Sequence, residues 1–109
     1  MTAIHLVERL GNPRRLPDTA GEWESGYWHV SHDTADRLVG GDLYLHSGQN
    51  AESHFGGRIL GYRIHRDPAN GEIDGRIVFR FLASPTHRGI RTPRQGWGNE
   101  KKIVWSGAA

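Results

Sequence analysis

The sequence predicts a small α+β domain, mainly β: a curved sheet or barrel of about five to six strands with one or two short flanking helices. Three observations carry this. A chain of 109 residues makes one compact domain that buries only about two-thirds of its unfolded surface. Its apolar residues come in short alternating or continuous runs separated by Gly, Pro, Asn and Asp, the punctuation of strands and turns. Helical spacing is confined to two brief stretches.

In order along the chain, Ile4, Leu6, Val7 and Leu10 have the spacing of a short helix stopped by Gly11 and Pro13. Asn12 to Glu24 reads as irregular, so residues 1–24 are expected as an N-terminal arm packed on the single domain 1–109. Tyr27 to Ser31 is the first strand. Asp33 or Thr34 caps a short helix through Ala35, Leu38 and Val39, ended by Gly40-Gly41. Asp42 to His46 alternates as a second strand, and residues 47–54 are a polar loop. Arg58 to Arg66 alternates again, with Ile59, Gly61, Arg63 and His65 on one face and Leu60, Tyr62 and Ile64 on the other. Asp67 to Gly71 has turn chemistry, Ile73 to Leu82 is the longest strand, Arg88 to Gly98 a basic loop and Lys101 to Trp105 a closing strand. The three middle strands suit an antiparallel meander.

Composition narrows the function. Cysteine is absent, which removes disulfides, thiolate metal sites and thiol nucleophiles. No stretch approaches the roughly 18 apolar residues of a membrane helix, and the N-terminus lacks the features of a signal peptide. The expectation is a cytoplasmic protein without a membrane partner. Residues 1–52 carry a net charge of −4 (eight acids, four bases) and residues 53–109 a net charge of +6 (four acids, ten bases). Twelve of the fourteen bases are Arg, whose planar fork suits phosphate and stacks on bases, so an electropositive face and an anionic partner are expected.

Three segments, taken in order, resemble the PUA-like superfamily in its YTH and EVE branches. Tyr27-Trp28-His29-Val30-Ser31 is similar to the opening strand of those domains. Leu43 to Arg58, an apolar strand followed by a Ser-rich loop and Phe55-Gly56-Gly57, is similar to the YTH run entering its next strand. Gly96-Trp97-Gly98-Asn99-Glu100-Lys101-Lys102-Ile103-Val104 looks like the Trp-Asn-Glu stretch near the end of YTH domains. Leu38-Val39-Gly40-Gly41 runs directly into a strand, leaving no counterpart for a YTH cage tryptophan, and the short helix resembles EVE domains better. The resemblance implies a PUA-like β-barrel with a pocket for a flipped or unpaired modified base.

A base pocket needs an aromatic wall and a few donors and acceptors at the base edge. Trp28 and Trp97 are the expected walls, and Ser31, His32, Ser47 and Asn50 the readers at two strand ends. Arg88, Arg91 and Arg94 in the basic loop, with Arg58, are expected to hold phosphates. The seven histidines lack metal-ligand spacing, so no metal or cofactor is expected. The sequence therefore predicts a binding domain, not an enzyme. Its partner would be DNA or RNA carrying methylated or hydroxymethylated cytosine, or methyladenine. A restriction or defence setting with a separate nuclease or effector fits such a domain. Two alternatives remain: an ASCH-like hydrolase or nuclease using His32 or His54 with Glu100, and a protein-interaction module.

Overall fold

A computed structural model describes residues 2–9 and 11–105, which form a mainly β arrangement of one seven-stranded sheet, one α-helix and a 3-10 turn. The elements are β1 (Ala3–Val7), β2 (Arg14–Arg15), β3 (Glu22–Trp28), α1 (His32–Leu38), β4 (Asp42–His46), β5 (Ser53–Ile64), β6 (Ile77–Ala83), the turn Pro85–His87 and β7 (Lys101–Val104). Their order across the sheet is β2-β3-β6-β5-β4-β1-β7. The expected antiparallel meander is present as β4, β5 and β6.

The N-terminal expectations are overturned. Ile4 to Val7 belongs to β1, parallel to β4 and antiparallel to β7, rather than to a helix. All five residues of β1 are buried. A short run buried on both faces has no polar alternation, so its spacing cannot separate strand from helix; Leu10 lies outside the described residues. Nor are residues 1–24 an irregular arm, because they supply β1, β2 and the start of β3. The strand expected at Tyr27 to Ser31 begins earlier and ends at Trp28. Helix α1 is capped by Ser31, whose Oγ accepts from the Thr34 amide at 3.2 Å, in place of Asp33 or Thr34.

Strand β5 contains a second correction. Between Ile59 and Gly61 the register against β6 slips by one residue. A one-residue slip reverses which face each side chain takes. Ile59 is buried before the bulge, and beyond it Tyr62 and Ile64 therefore pack against the same core instead of facing away from it. That core joins Ile4 and Leu6 of β1, Leu43 and Leu45 of β4, Ile77, Phe79 and Phe81 of β6, and Ala35 and Leu38 of α1. The helix is also pinned from outside: Tyr62 Oη donates to Asp36 at 2.6 Å, and the Arg37 guanidinium lies 4.1 Å over the Trp105 ring.

The sheet does not close by hydrogen bonding among the described residues, because its edge strands β2 and β7 are not paired with each other. Instead, beyond β1, the chain pairs with β3 as β2, Arg14 opposite Glu24 and Arg15 opposite Trp23. At the other edge the Lys101 ammonium of β7 donates to the His29 carbonyl just beyond β3, at 2.8 Å. The two ends of the sheet thus face each other across a seam.

Residues 84–100, the connection from β6 to β7, form a strap over the outer face of β5, β4 and β1. The Ser84 amide donates to the Gly56 carbonyl at 3.1 Å. The Ser53 hydroxyl then fixes the strap twice: its Oγ donates to the His87 carbonyl at 2.6 Å and accepts from the Ile90 amide at 3.0 Å. Further along, Arg91 donates to the Asn50 carbonyl at 2.9 Å and Lys102 Nζ to the Pro93 carbonyl at 2.5 Å. The strap lies close because Gly56 is bare: a Cβ there would meet the Leu43 carbonyl and come within 3.1 Å of the His87 Cβ.

Candidate functional site: a cleft at the seam

Between the end of β3 and β7, a cleft of about 640 Å³ opens, lined by Trp28, His29, Arg76, Gly96, Gly98, Asn99, Glu100, Lys101 and Ile103. Its volume is in the range of small-molecule sites. Two adjoining hollows share Trp28 and Arg76 with it. One continues along the seam past Val7, Glu8, Asn12 and Tyr27. The other runs past Ser31, His32 and the turn at Gly71 to Gly75. Trp28 and Arg76 therefore stand where three hollows meet.

The cleft combines unlike groups. Trp28 is a core residue, 5% exposed, with its indole N–H on the Ser25 hydroxyl at 3.0 Å; it offers the cleft an apolar edge and not a full face. Arg76 and Lys101 bring positive charge and Glu100 an acceptor. Both cations are half-buried and lightly engaged by carbonyls, Arg76 with Tyr27 at 3.5 Å and Lys101 with His29 at 2.8 Å. The opposite wall is main chain: Gly96, Gly98 and Asn99 of the strap. Gln49 holds that wall, its amide nitrogen donating to the Gly98 carbonyl at 2.8 Å.

Of the six residues expected to form a base pocket, the structure brings three together. Trp28, Ser31 and His32 line connected hollows. The Ser31 hydroxyl is committed to its helix, accepting from the Thr34 amide and donating to Thr34 Oγ1 at 2.9 Å. His32 is exposed on the first turn of α1. Trp97 stands behind the wall formed by its neighbours Gly96 and Gly98, edge-on to His5 and His46. Ser47 and Asn50 line none of these hollows; they occupy the β4–β5 loop, and the Asn50 carbonyl anchors Arg91.

The four expected phosphate ligands are dispersed. Arg58 is exposed on β5, opposite Asp42 in register. Arg88 lies 5.7 Å over Phe55, in a separate hollow with Trp23, His54 and Pro13. Arg91 meets Glu52 at 3.5 Å, and Arg94 is exposed on the strap. Much of the sequence's charge asymmetry is spent internally, since second-half arginines pair with first-half acids. Arg63 meets Glu24 at 3.0 Å and Arg80 meets Glu22 at 2.8 Å. The Arg63 and Arg14 guanidiniums hold the Glu24 carboxyl below its ordinary range, against the opposing effect of burial. Arg76, Lys101 and Tyr27 were not singled out from the sequence, and nothing local marks Arg76: it lies between a turn and a strand, and only the seam gives it a role.

Beneath the strap lies a layer of rings on the outer face. His87, Tyr44 and His5 stack in sequence, with centroids 4.9 and 4.7 Å apart. His5 Nδ1 lies 2.9 Å from His46 Nε2, and His46 Nδ1 lies 2.9 Å from the Ala51 carbonyl. A carbonyl only accepts, so His46 carries its proton on Nδ1. With His46 Nε2 unprotonated, as burial of the pair favours, that atom accepts from His5 Nδ1–H. Burial first, then His46 and Lys102, bring the His5 imidazole down to about 4. Burial also lowers His46, partly opposed by the Ala51 carbonyl.

His87 Nε2 meets Asp42 at 2.8 Å and Thr86 Oγ1 lies 3.2 Å from His87 Nδ1, an order that resembles hydroxyl, base and orienting acid. None of the three lines the cleft or its two adjoining hollows, and Ser84 and Thr86 are occupied in capping the 3-10 turn. His54 Nε2 donates to the Glu8 carbonyl at 3.3 Å. Among the described residues no three His, Asp or Glu side chains gather as a metal site, and no helix is long and apolar enough to cross a membrane. Compared with family models, with curated proteins and with solved structures, the chain matches none.

Proposed function

We propose that this chain is a PUA-like nucleic-acid-binding domain that takes an unpaired, modified base into the seam cleft and holds it without turnover. The observation that carries the reading is the meeting of an aromatic edge, two cations and a main-chain wall at the place where Trp28 and Arg76 join three hollows. The Trp28 edge and Ile103 are suited to a planar ring, Glu100 to the amino group of a base, and Arg76 and Lys101 to the attached phosphate. The resemblance to EVE and YTH domains favours this cleft, because two of its segments, Tyr27 to Ser31 and Gly96 to Val104, contribute lining residues here. It supports methylated or hydroxymethylated cytosine, or methyladenine, as the base class. The small hollow and the exposed arginines of the strap suit DNA or RNA, with a separate nuclease or effector supplying any chemistry.

The test is a titration of short single-stranded oligonucleotides, each carrying one modified base, beside their unmodified twins. The reading expects at least a tenfold preference for one modification, about 1.4 kcal/mol. It also expects Arg76→Ala to weaken binding of every oligonucleotide about tenfold or more. Equal binding of all twins, unchanged in Arg76→Ala, would overturn it.

A further inference from the structure

The ring layer under the strap contains the least expected pair in the molecule: two neutral imidazoles, 4% and 0% exposed, joined by one hydrogen bond. Neither takes part in the cleft. Both touch the half of the strap that forms the cleft wall, because Trp97 stands edge-on to His5 at 6.3 Å and to His46 at 5.6 Å. We propose that the His5–His46 pair is an acid-released latch: neutral, it seats Trp97 and holds residues 93–99 closed as the cleft wall, and protonated, it lets that segment lift and the ligand leave.

The proton count shows why the latch has two states. In the neutral pair His5 Nδ1–H donates to His46 Nε2, and His46 Nδ1–H donates to the Ala51 carbonyl. The free lone pair is on His5 Nε2, so the first proton goes there and breaks no hydrogen bond. A second proton must go to His46 Nε2, where it turns the shared bond into two donors facing each other. The surroundings oppose even the first charge. Lys102 of β7 stands opposite His5 in register, and the His54 ring of β5 weighs on His46 in the same sense. Tyr44 of β4 covers the other face of His5. The nearby acids are turned elsewhere, Asp42 to His87 and Glu8 to the Gly11 and Asn12 amides.

The strap is fastened unequally. Its first half is bolted to Ser53 by four hydrogen bonds, two through the hydroxyl and two through the main chain, that no proton affects in this range. The second half is held by the Gly98 amide on the Lys101 carbonyl, the Val7 amide on the Glu100 carbonyl and Gln49 on the Gly98 carbonyl. Its remaining fastenings, Lys102 Nζ on the Pro93 carbonyl and the seating of Trp97, are the ones next to the histidine pair. A new charge at His5 repels the same Lys102 that grips Pro93. The Trp97 indole N–H is buried with no protein acceptor among the described residues, so the closed state already carries a cost that opening relieves.

The consequence for the ligand rests on the cleft reading given above; the latch itself does not. Amide hydrogen exchange of the free protein, corrected for its intrinsic pH dependence, tests the latch without ligand. Protection of residues 94–99 should fall at least tenfold between pH 7 and pH 4.5, while residues 53–59 of β5 stay protected. His5→Gln keeps a donor for His46 but takes up no proton, and it should abolish the fall. Unchanged protection in the native protein, or an equal fall in His5→Gln, would overturn the latch. Should His5→Gln not fold, NMR of the native protein decides: the Trp97 indole signal must titrate together with the His5 and His46 ring signals, and a Trp97 signal that ignores them sinks the idea. A parallel measurement of oligonucleotide dissociation separates the two claims. Faster release at acid pH supports gating; an open strap with unchanged release overturns gating. Absence of binding at every pH counts against the cleft, and the exchange result still decides the latch.

Discussion

The two faces of β1 and β4 are made of opposite materials. Inward, Ile4, Leu6, Leu43 and Leu45 are completely buried in an aliphatic and aromatic core. Outward, His5 and His46 are buried almost as well and Tyr44 is half-buried, but in rings that carry protons and need partners. The inner face is held by removal of apolar surface from water, which ignores pH. The outer face is held by a strap whose fastening depends on which nitrogen carries a proton. The difference teaches that burial on this sheet has two meanings, one for stability and one for control.

The comparison breaks most visibly on the inner side. Phe79 is fully buried at the centre of β6, and Phe79→Ala should lower unfolding stability by about 3–5 kcal/mol in urea denaturation. Gly56→Ala strikes both faces, since its Cβ meets the Leu43 carbonyl inside the sheet and crowds His87 of the strap. A loss of about 1–3 kcal/mol or more is expected, with faster proteolysis of the strap.

Acid sharpens the comparison from outside. The unfolded imidazoles titrate near 6.5, whereas folded His5 is held near 4 and His46 is also lowered. Between these values the unfolded chain binds more protons than the native one. Stability should therefore be level above about pH 6.5 and fall steadily toward pH 4, by on the order of a few kcal/mol. Denaturation midpoints across that range check it, and a flat profile would mean that the ring layer is solvated. The smallest effect belongs to the surface. Arg14→Ala removes an ion pair whose cation is 67% exposed, and should cost at most about 1 kcal/mol.

How much of this was legible in the sequence follows the same division. The meander of β4, β5 and β6 could be read because β4 and β5 alternate between turn residues and β6 is a β-branched and aromatic run, although β6 starts at Ile77 instead of Ile73 and β5 is the longer strand. The short helix was legible from Ala35 and Leu38, although its cap proved to be Ser31. What failed was set by distant partners. Ile4 to Val7 is buried on both faces by β4 on one side and β7 on the other, and no local period announces that. The bulge after Ile59 turns Tyr62 and Ile64 inward, and a bulge leaves no trace in alternation. Of the site, Trp28 could be found because it ends a strand. Arg76 could not, because its neighbours at the seam come from segments some 20 to 70 residues away in sequence. The basic loop was recognised as basic; its attachment to Ser53 and the histidine pair beneath it needed the fold.

The most direct test of the central claim is backbone and side-chain NMR mapping of an oligonucleotide that carries a modified base. The account predicts that shifts concentrate at Trp28, His29, Arg76, Gly98 and Lys101, around the seam. Shifts confined to the exposed arginines at 58, 88, 91 and 94, with Trp28 and Arg76 unmoved, would contradict it and leave only nonspecific attraction of a basic surface for phosphate.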